Sequence, residues 1–163
     1  MTTERRTAVW YFDFISPFAY LQWRALDALA PVLTFEFRPI LLAALLDHHG
    51  HKGPAEIPQK RRFSYRFVTW RAQQAGIPLR FPPAHPFNPL PALRLALALG
   101  CRAGAIDAIF QHLWAEGRAG DSAAALAFLE AGGIDLITLD LGLGGENGLE
   151  LAQRIRAAHN VPI

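Results

Sequence analysis

The chain has 163 residues, 52% of them apolar, with a formal net charge of +2 and one cysteine. That length suffices for one sizeable core, and no apolar run approaches the roughly 20 residues that span a bilayer, so no membrane partner is expected. The charge is too small to argue for nucleic acid, and a lone cysteine permits neither an internal disulfide nor a Cys-x-x-Cys redox pair, which excludes disulfide exchange.

Met1 to Arg6 lack the apolar stretch of a secretory signal, which makes the cytoplasm the expected compartment. Residues 8–14 form an apolar, aromatic and β-branched run that predicts a buried strand. Ser16-Pro17 then sets a capping side chain before a proline tolerated at the first helical position, so a helix is expected over 17–30 with Ser16 as its N-cap. A serine there sits at the positive end of the helix dipole, where an anion such as a thiolate is favoured; a plain capping serine is the alternative. Leu33, Phe35 and Phe37 alternate with Thr34, Glu36 and Arg38, predicting a second strand over 33–38 and a parallel βαβ unit. Asp13, inside the first strand, and Arg38, at the end of the second, each call for a partner rather than a catalytic role.

Helical segments are expected near 40–48, 58–75, 90–103, 104–117 and 121–131, punctuated by Gly76, Gly104, Gly117 and Gly120, with Pro82, Pro83, Pro86, Pro89 and Pro91 forming a rigid connector. Cys101 is expected as a buried helix residue. His48-His49-Gly50-His51 invites a zinc reading, but no soft ligand accompanies it and adjacent histidines chelate poorly, so a solvated loop and no metal are expected. Lys60, Arg61, Arg62 and Arg66 present a basic helix face. Trp70 reads as core or as an aromatic wall, Phe18 as a second wall beside the Ser16 turn, and Asn88 as a turn residue or a polar substrate contact.

The stretch Phe12-Asp13-Phe14-Ile15-Ser16-Pro17-Phe18-Ala19-Tyr20-Leu21 is followed in order by Phe35-Glu36-Phe37-Arg38-Pro39-Ile40-Leu41-Leu42, Gly53-Pro54, Pro58-Gln59-Lys60, Gly76-Ile77-Pro78-Leu79-Arg80-Phe81-Pro82 and Asn88-Pro89-Leu90. Over about residues 8–130 this resembles the 2-hydroxychromene-2-carboxylate isomerases, relatives of the kappa-class glutathione transferases in the DsbA-like thioredoxin superfamily. The resemblance implies an α/β, thioredoxin-like fold, with a first half over 1–40 carrying the βαβ sheet and a helical insertion over 41–131, while the family's C-terminal part is expected to be replaced over 132–163 by a receiver-like βα segment. It implies glutathione as cofactor, with Ser16 as the catalytic hydroxyl beside its sulfur, His51 and Lys60 as further contacts, and a small aromatic keto-acid as substrate against Phe18, Trp70 and Asn88. The implied reaction opens 2-hydroxychromene-2-carboxylate to trans-o-hydroxybenzylidenepyruvate in naphthalene-type aromatic catabolism. Alternatives are a general glutathione transferase or peroxidase and an inactive fusion product; a homodimer is compatible with all three.

Residues 131–163 depart from that pattern. Ile134 through Leu151 resembles the middle of a response-regulator receiver domain, with Asp140 on the phosphoacceptor position and Val161-Pro162-Ile163 opening the next strand. The acidic pair, hydroxyl and lysine that a receiver needs have no source in the chain, so Asp140 is expected as a relic that takes no phosphoryl group. A strand over 134–140 and a helix over 147–158 are expected to pack on the first two strands. In the isomerase family a Val-Pro loop sets a cis-proline against the bound thiol, and Pro162 is the alternative reading of this segment as that loop.

Overall fold

The computed structural model of the chain describes residues 5–120. β1 (Arg6–Phe12) leads through a tight turn into α1 (Pro17–Leu26), and a 3-10 turn at Asp27–Leu29 delivers the chain to β2 (Leu33–Pro39). The two strands pair in parallel, Arg6 opposite Leu33 and Phe12 opposite Pro39. α2 (Leu42–His48), a 3-10 turn at Pro54–Glu56, α3 (Pro58–Ala75), α4 (Leu90–Ala98) and α5 (Ala103–Phe110) follow, and α5 runs on as a π turn over Gln111–Ala115. No helix among the described residues is long and apolar enough to cross a membrane.

Strand periodicity decides which aromatics enter the core. Trp10 and Phe12 point inward while Val9 and Tyr11, on the opposite face, stay exposed. Phe110 of α5 lies at the centre, its ring within 6.3 Å of those of Trp10, Phe12, Phe14, Tyr20 and Trp23. Each such ring contributes about 1.5–3 kcal/mol by leaving water, so this cluster is what holds the helical insertion on the sheet. Polar ties fix α1 within it. Trp23 Nε1 and Arg24 both donate to the Asp107 carboxylate of α5, at 2.8 and 2.9 Å, and the Tyr20 hydroxyl donates to the Pro78 carbonyl at 2.8 Å.

Several expectations are corrected. α4 ends at Ala98 rather than continuing to 103, because Gly100 and Cys101 take left-handed backbone (φ 65° and 50°) and their amides turn back onto the Leu97 and Ala96 carbonyls. Cys101 is therefore a half-buried turn residue, not a buried helix residue. The helix expected over 104–117 is α-helical only to Phe110, and Gly117 ends it at φ 69°, where a Cβ would lie 2.8 Å from that of Arg80. Asp13 lies just past β1, not within it, and its partners are backbone amides. Arg38 is exposed and pairs with Glu36 two residues away on the same strand, 2.7 Å apart. The segments expected over 121–131, 134–140 and 147–158 lie outside the described residues, as do Asp140 and Pro162.

Candidate active site

Four residues, Asp13 to Ser16, join β1 to α1, and side chains from distant parts of the fold grip the two middle carbonyls of that turn. Asp13, 3% exposed, accepts from the Ile15 amide through Oδ1 at 3.1 Å and from the Leu42 amide through Oδ2 at 2.8 Å, tying the turn to the start of α2. Burial pushes its carboxyl above the usual carboxylate range, while the bonds from Leu42, Ile15 and Phe14 amides pull the other way. The Phe14 carbonyl accepts from Trp114 Nε1, and the Ile15 carbonyl from His85 Nε2, each at 2.8 Å.

Ser16 stands at the N-cap of α1 in extended backbone (φ −92°, ψ 113°), and its Oγ accepts the Ala19 amide at 3.2 Å. Pro17 has no N–H, so the first free helical amide is that of Phe18. Among the described residues neither that amide nor the Ser16 hydroxyl proton has a recorded acceptor. The half-buried Ser16 thus offers two donors at the positive end of a ten-residue helix, an arrangement that suits an anion. A thiolate fits it. The chain's own thiol does not compete, since Cys101 lies in the turn after α4 and burial pushes its pKa up.

The first turn of α3 carries Lys60, Arg61 and Arg62. A cleft of about 340 Å³ opens beside it, lined by Ala55, Glu56, Pro58, Arg61, Arg62 and Tyr65. Its basic wall suits a carboxylate, although Ser16 is not part of its lining. Arg61 donates to the His85 carbonyl at 2.8 Å and lies over the Tyr65 ring, 5.2 Å from its centre. The cleft and the Ser16 turn therefore adjoin through Tyr65 and His85.

The remaining candidates separate. Phe18 is exposed and its ring lies 6.0 Å from Phe67, which stacks in turn on Phe63 and Trp70. Trp70 is 52% exposed, so it belongs to an aromatic surface stripe that begins beside Ser16 rather than to the core. Asn88 is exposed and its Oδ1 accepts from the Leu90 amide at 3.1 Å, the turn role of its two readings. Lys60 is exposed on α3, and His51 is exposed in the loop after α2, where its amide bonds the Leu46 carbonyl. No hydrogen bond or ion pair among the described residues draws either side chain toward Ser16. His48, His49 and His51 make no metal-holding group among the described residues.

His85, Tyr65 and Trp114 escape a reading of the sequence. His85 and Trp114 reach the turn across 70 and 100 positions, Tyr65 acts on it through His85, and no periodicity marks such contacts. The one local signal, for His85, is the proline-rich connector, in which the His85-Pro86 peptide is cis.

The pattern that defines the DSBA-like thioredoxin domain matches residues 7–160. The chain belongs to that family. Over 116 residues this DsbA-like chain is 34% identical to 2-hydroxychromene-2-carboxylate isomerase of Pseudomonas putida, a match covering 68% of the chain and 57% of that protein. Over 82 residues it is 28% identical to glutathione S-transferase kappa 2 of Caenorhabditis elegans, covering 48% of the chain and 36% of the relative. The chain thus spans little more than half the length of the first relative. A selenomethionine structure of 2-hydroxychromene-2-carboxylate isomerase superposes with a TM-score of 0.64 over 94% of this chain and 72% of the other, and at 24% identity that likeness speaks for the fold. The family match extends through residues 131–160, where the sequence alone suggests a receiver fragment.

Proposed function

We propose that this DsbA-like protein is a glutathione-dependent isomerase that opens 2-hydroxychromene-2-carboxylate to trans-o-hydroxybenzylidenepyruvate. The observation that carries this reading is the Ser16 cap, whose Oγ accepts the Ala19 amide and keeps its own proton, with the Phe18 amide, for a ligand where a redox relative would need a cysteine, in a chain whose one cysteine is elsewhere. The similarity to an isomerase and to a kappa-class transferase supports it. Glutathione, when bound, supplies a nucleophilic thiolate that adds reversibly to the conjugated ring and is returned unchanged.

The chain's residues do the rest. Ser16 Oγ donates to the sulfur and, with the Phe18 amide, favours its anionic form. Lys60, with the arginines beside it, receives carboxylates, and His51 adds a polar contact. Phe18 and Trp70, joined through Phe67, offer an apolar wall to a bicyclic ring, with Asn88 at its polar end. In this reading residues 1–40 supply the turn and the Phe18 wall, and the insertion over 41–131 supplies the rest; the segment over 132–163, with Pro162, lies outside the described residues. Asp140 takes no part, and acetyl phosphate with Mg²⁺ is expected to leave it unmodified.

Incubation with glutathione and the chromene acid tests the proposal. Product should form with full recovery of free thiol. Consumption of thiol into a conjugate would instead make the protein a transferase, the reading that the kappa-class similarity favours second. A folded sample that captures no glutathione would mark an inactive fusion product.

A further inference from the structure

Taking Ser16 as the catalytic hydroxyl, we propose that His85, oriented by Tyr65, is a positioning residue that holds the Ser16 peptide through the Ile15 carbonyl. A carbonyl can only accept, so the 2.8 Å contact to Ile15 places the ring proton on His85 Nε2. A neutral ring then leaves a lone pair on Nδ1, which the Tyr65 hydroxyl fills. Tyr65 is itself clamped, its ring stacked on Phe81 at 4.5 Å and lying under the Arg61 guanidinium. Trp114 and Phe87 close on the imidazole at 5.3 and 6.0 Å. Burial holds the His85 pKa below the usual histidine range; the Arg61 charge acts in the same direction and the Ile15 bond against it. The ring is therefore neutral near pH 7 and keeps the tautomer that the carbonyl requires.

The consequence for Ser16 follows from peptide planarity. The Ile15 carbonyl and the Ser16 amide belong to one rigid plane. His85 pins that plane at its oxygen, and the Asp13 carbonyl pins it at its nitrogen, accepting from Ser16 at 3.2 Å. With both edges held, and the next peptide plane held by the Tyr20 amide donating to the Ser16 carbonyl at 3.2 Å, the direction of the Ser16 Cα–Cβ bond is set, and with it the aim of Oγ. Release of the oxygen edge lets the plane rock about the remaining bond. His85 touches no reacting atom in this scheme; it acts by aiming Ser16.

Three variants of the full chain test this, with amide exchange at Ala19 as a readout independent of catalysis. His85→Ala should speed exchange of the Ala19 amide roughly fivefold, the equivalent of losing a helix cap. It should also lower kcat about 10- to 100-fold with little change in the KM for glutathione, as expected for a displacement of about 1 Å at a reacting group. His85→Gln, whose carboxamide N–H can reach the Ile15 carbonyl, should restore most of both. Tyr65→Phe keeps the stacking on Phe81 and should preserve both the fold and the Nε2–H tautomer that the Ile15 carbonyl requires, while the ring, released at Nδ1, should hold that carbonyl less firmly and speed Ala19 exchange by a smaller factor than His85→Ala. Unchanged Ala19 exchange in His85→Ala or in Tyr65→Phe, or a glutamine variant no better than alanine, would overturn the proposal. If exchange responds as stated but the unaltered protein neither captures glutathione nor isomerises the chromene acid, the positioning role stands and the isomerase reading fails.

Discussion

Replacing Ser16 by alanine separates the two things its side chain can do. As a cap, Oγ satisfies one helical donor, the Ala19 amide, with a bond at the long end of the range, 3.2 Å, in a half-buried position. Such a cap is worth about 1 kcal/mol, and in a chain of this length that corresponds to a fall of roughly 2–4 °C in Tm. The turn should survive, because the Asp13, His85 and Trp114 bonds that hold it do not pass through Oγ. As a donor to a thiolate, the same hydroxyl should be worth far more: loss of one well-aimed donor to a developing or fixed anion costs about 2–4 kcal/mol, or roughly 30- to 1000-fold in rate. The assay is therefore paired, with thermal unfolding on one side and glutathione-dependent isomerisation with thiolate absorbance on the other. A small Tm shift with a large loss of rate and a raised thiol pKa is the expected outcome. An alanine variant that isomerises at the unaltered rate with an unchanged thiol pKa would reduce Ser16 to a structural cap and remove the mechanism.

Two further outcomes follow from the supports of the turn. Trp114→Phe leaves the buried Phe14 carbonyl without its donor and shrinks a fully buried side chain, which should cost about 2–4 kcal/mol in urea unfolding; a loss under about 1 kcal/mol would mean that water replaces the indole N–H. Because the folded His85 pKa lies below its ordinary 6.5, the unfolded chain binds more protons in the interval between the two values, and the stability that His85 contributes is lost as pH falls through that interval. The groups facing the ring are Tyr65 and Arg61, and His85→Gln should flatten the fall in urea midpoint as pH drops below the ordinary histidine value. An identical slope in the variant would show that His85 does not govern it.

The β1-α1-β2 unit was legible because its determinants are local. Alternation at Leu33, Phe35 and Phe37 sets the buried face of β2, and a serine before a proline starts α1 whatever surrounds it. Ser16 could be singled out on the same basis, since its cap reaches only three residues along the chain. The residues that aim it could not. His85 and Trp114 bond the turn from 70 and 100 positions away, through contacts that no spacing rule encodes, and they do so only because the aromatic cluster around Phe110 draws the insertion onto the sheet. Asp13 shows the same division. Its burial beside a strand was readable from the apolar run around it, whereas the Leu42 amide that satisfies it is brought there by the pairing of β1 with β2. Trp70 and Cys101 failed as core residues for the complementary reason: apolar character favours burial but does not choose a side of the helix or the place where it ends. Local sequence dictates which backbone forms, and the packing of distant elements decides which of its polar atoms are held still.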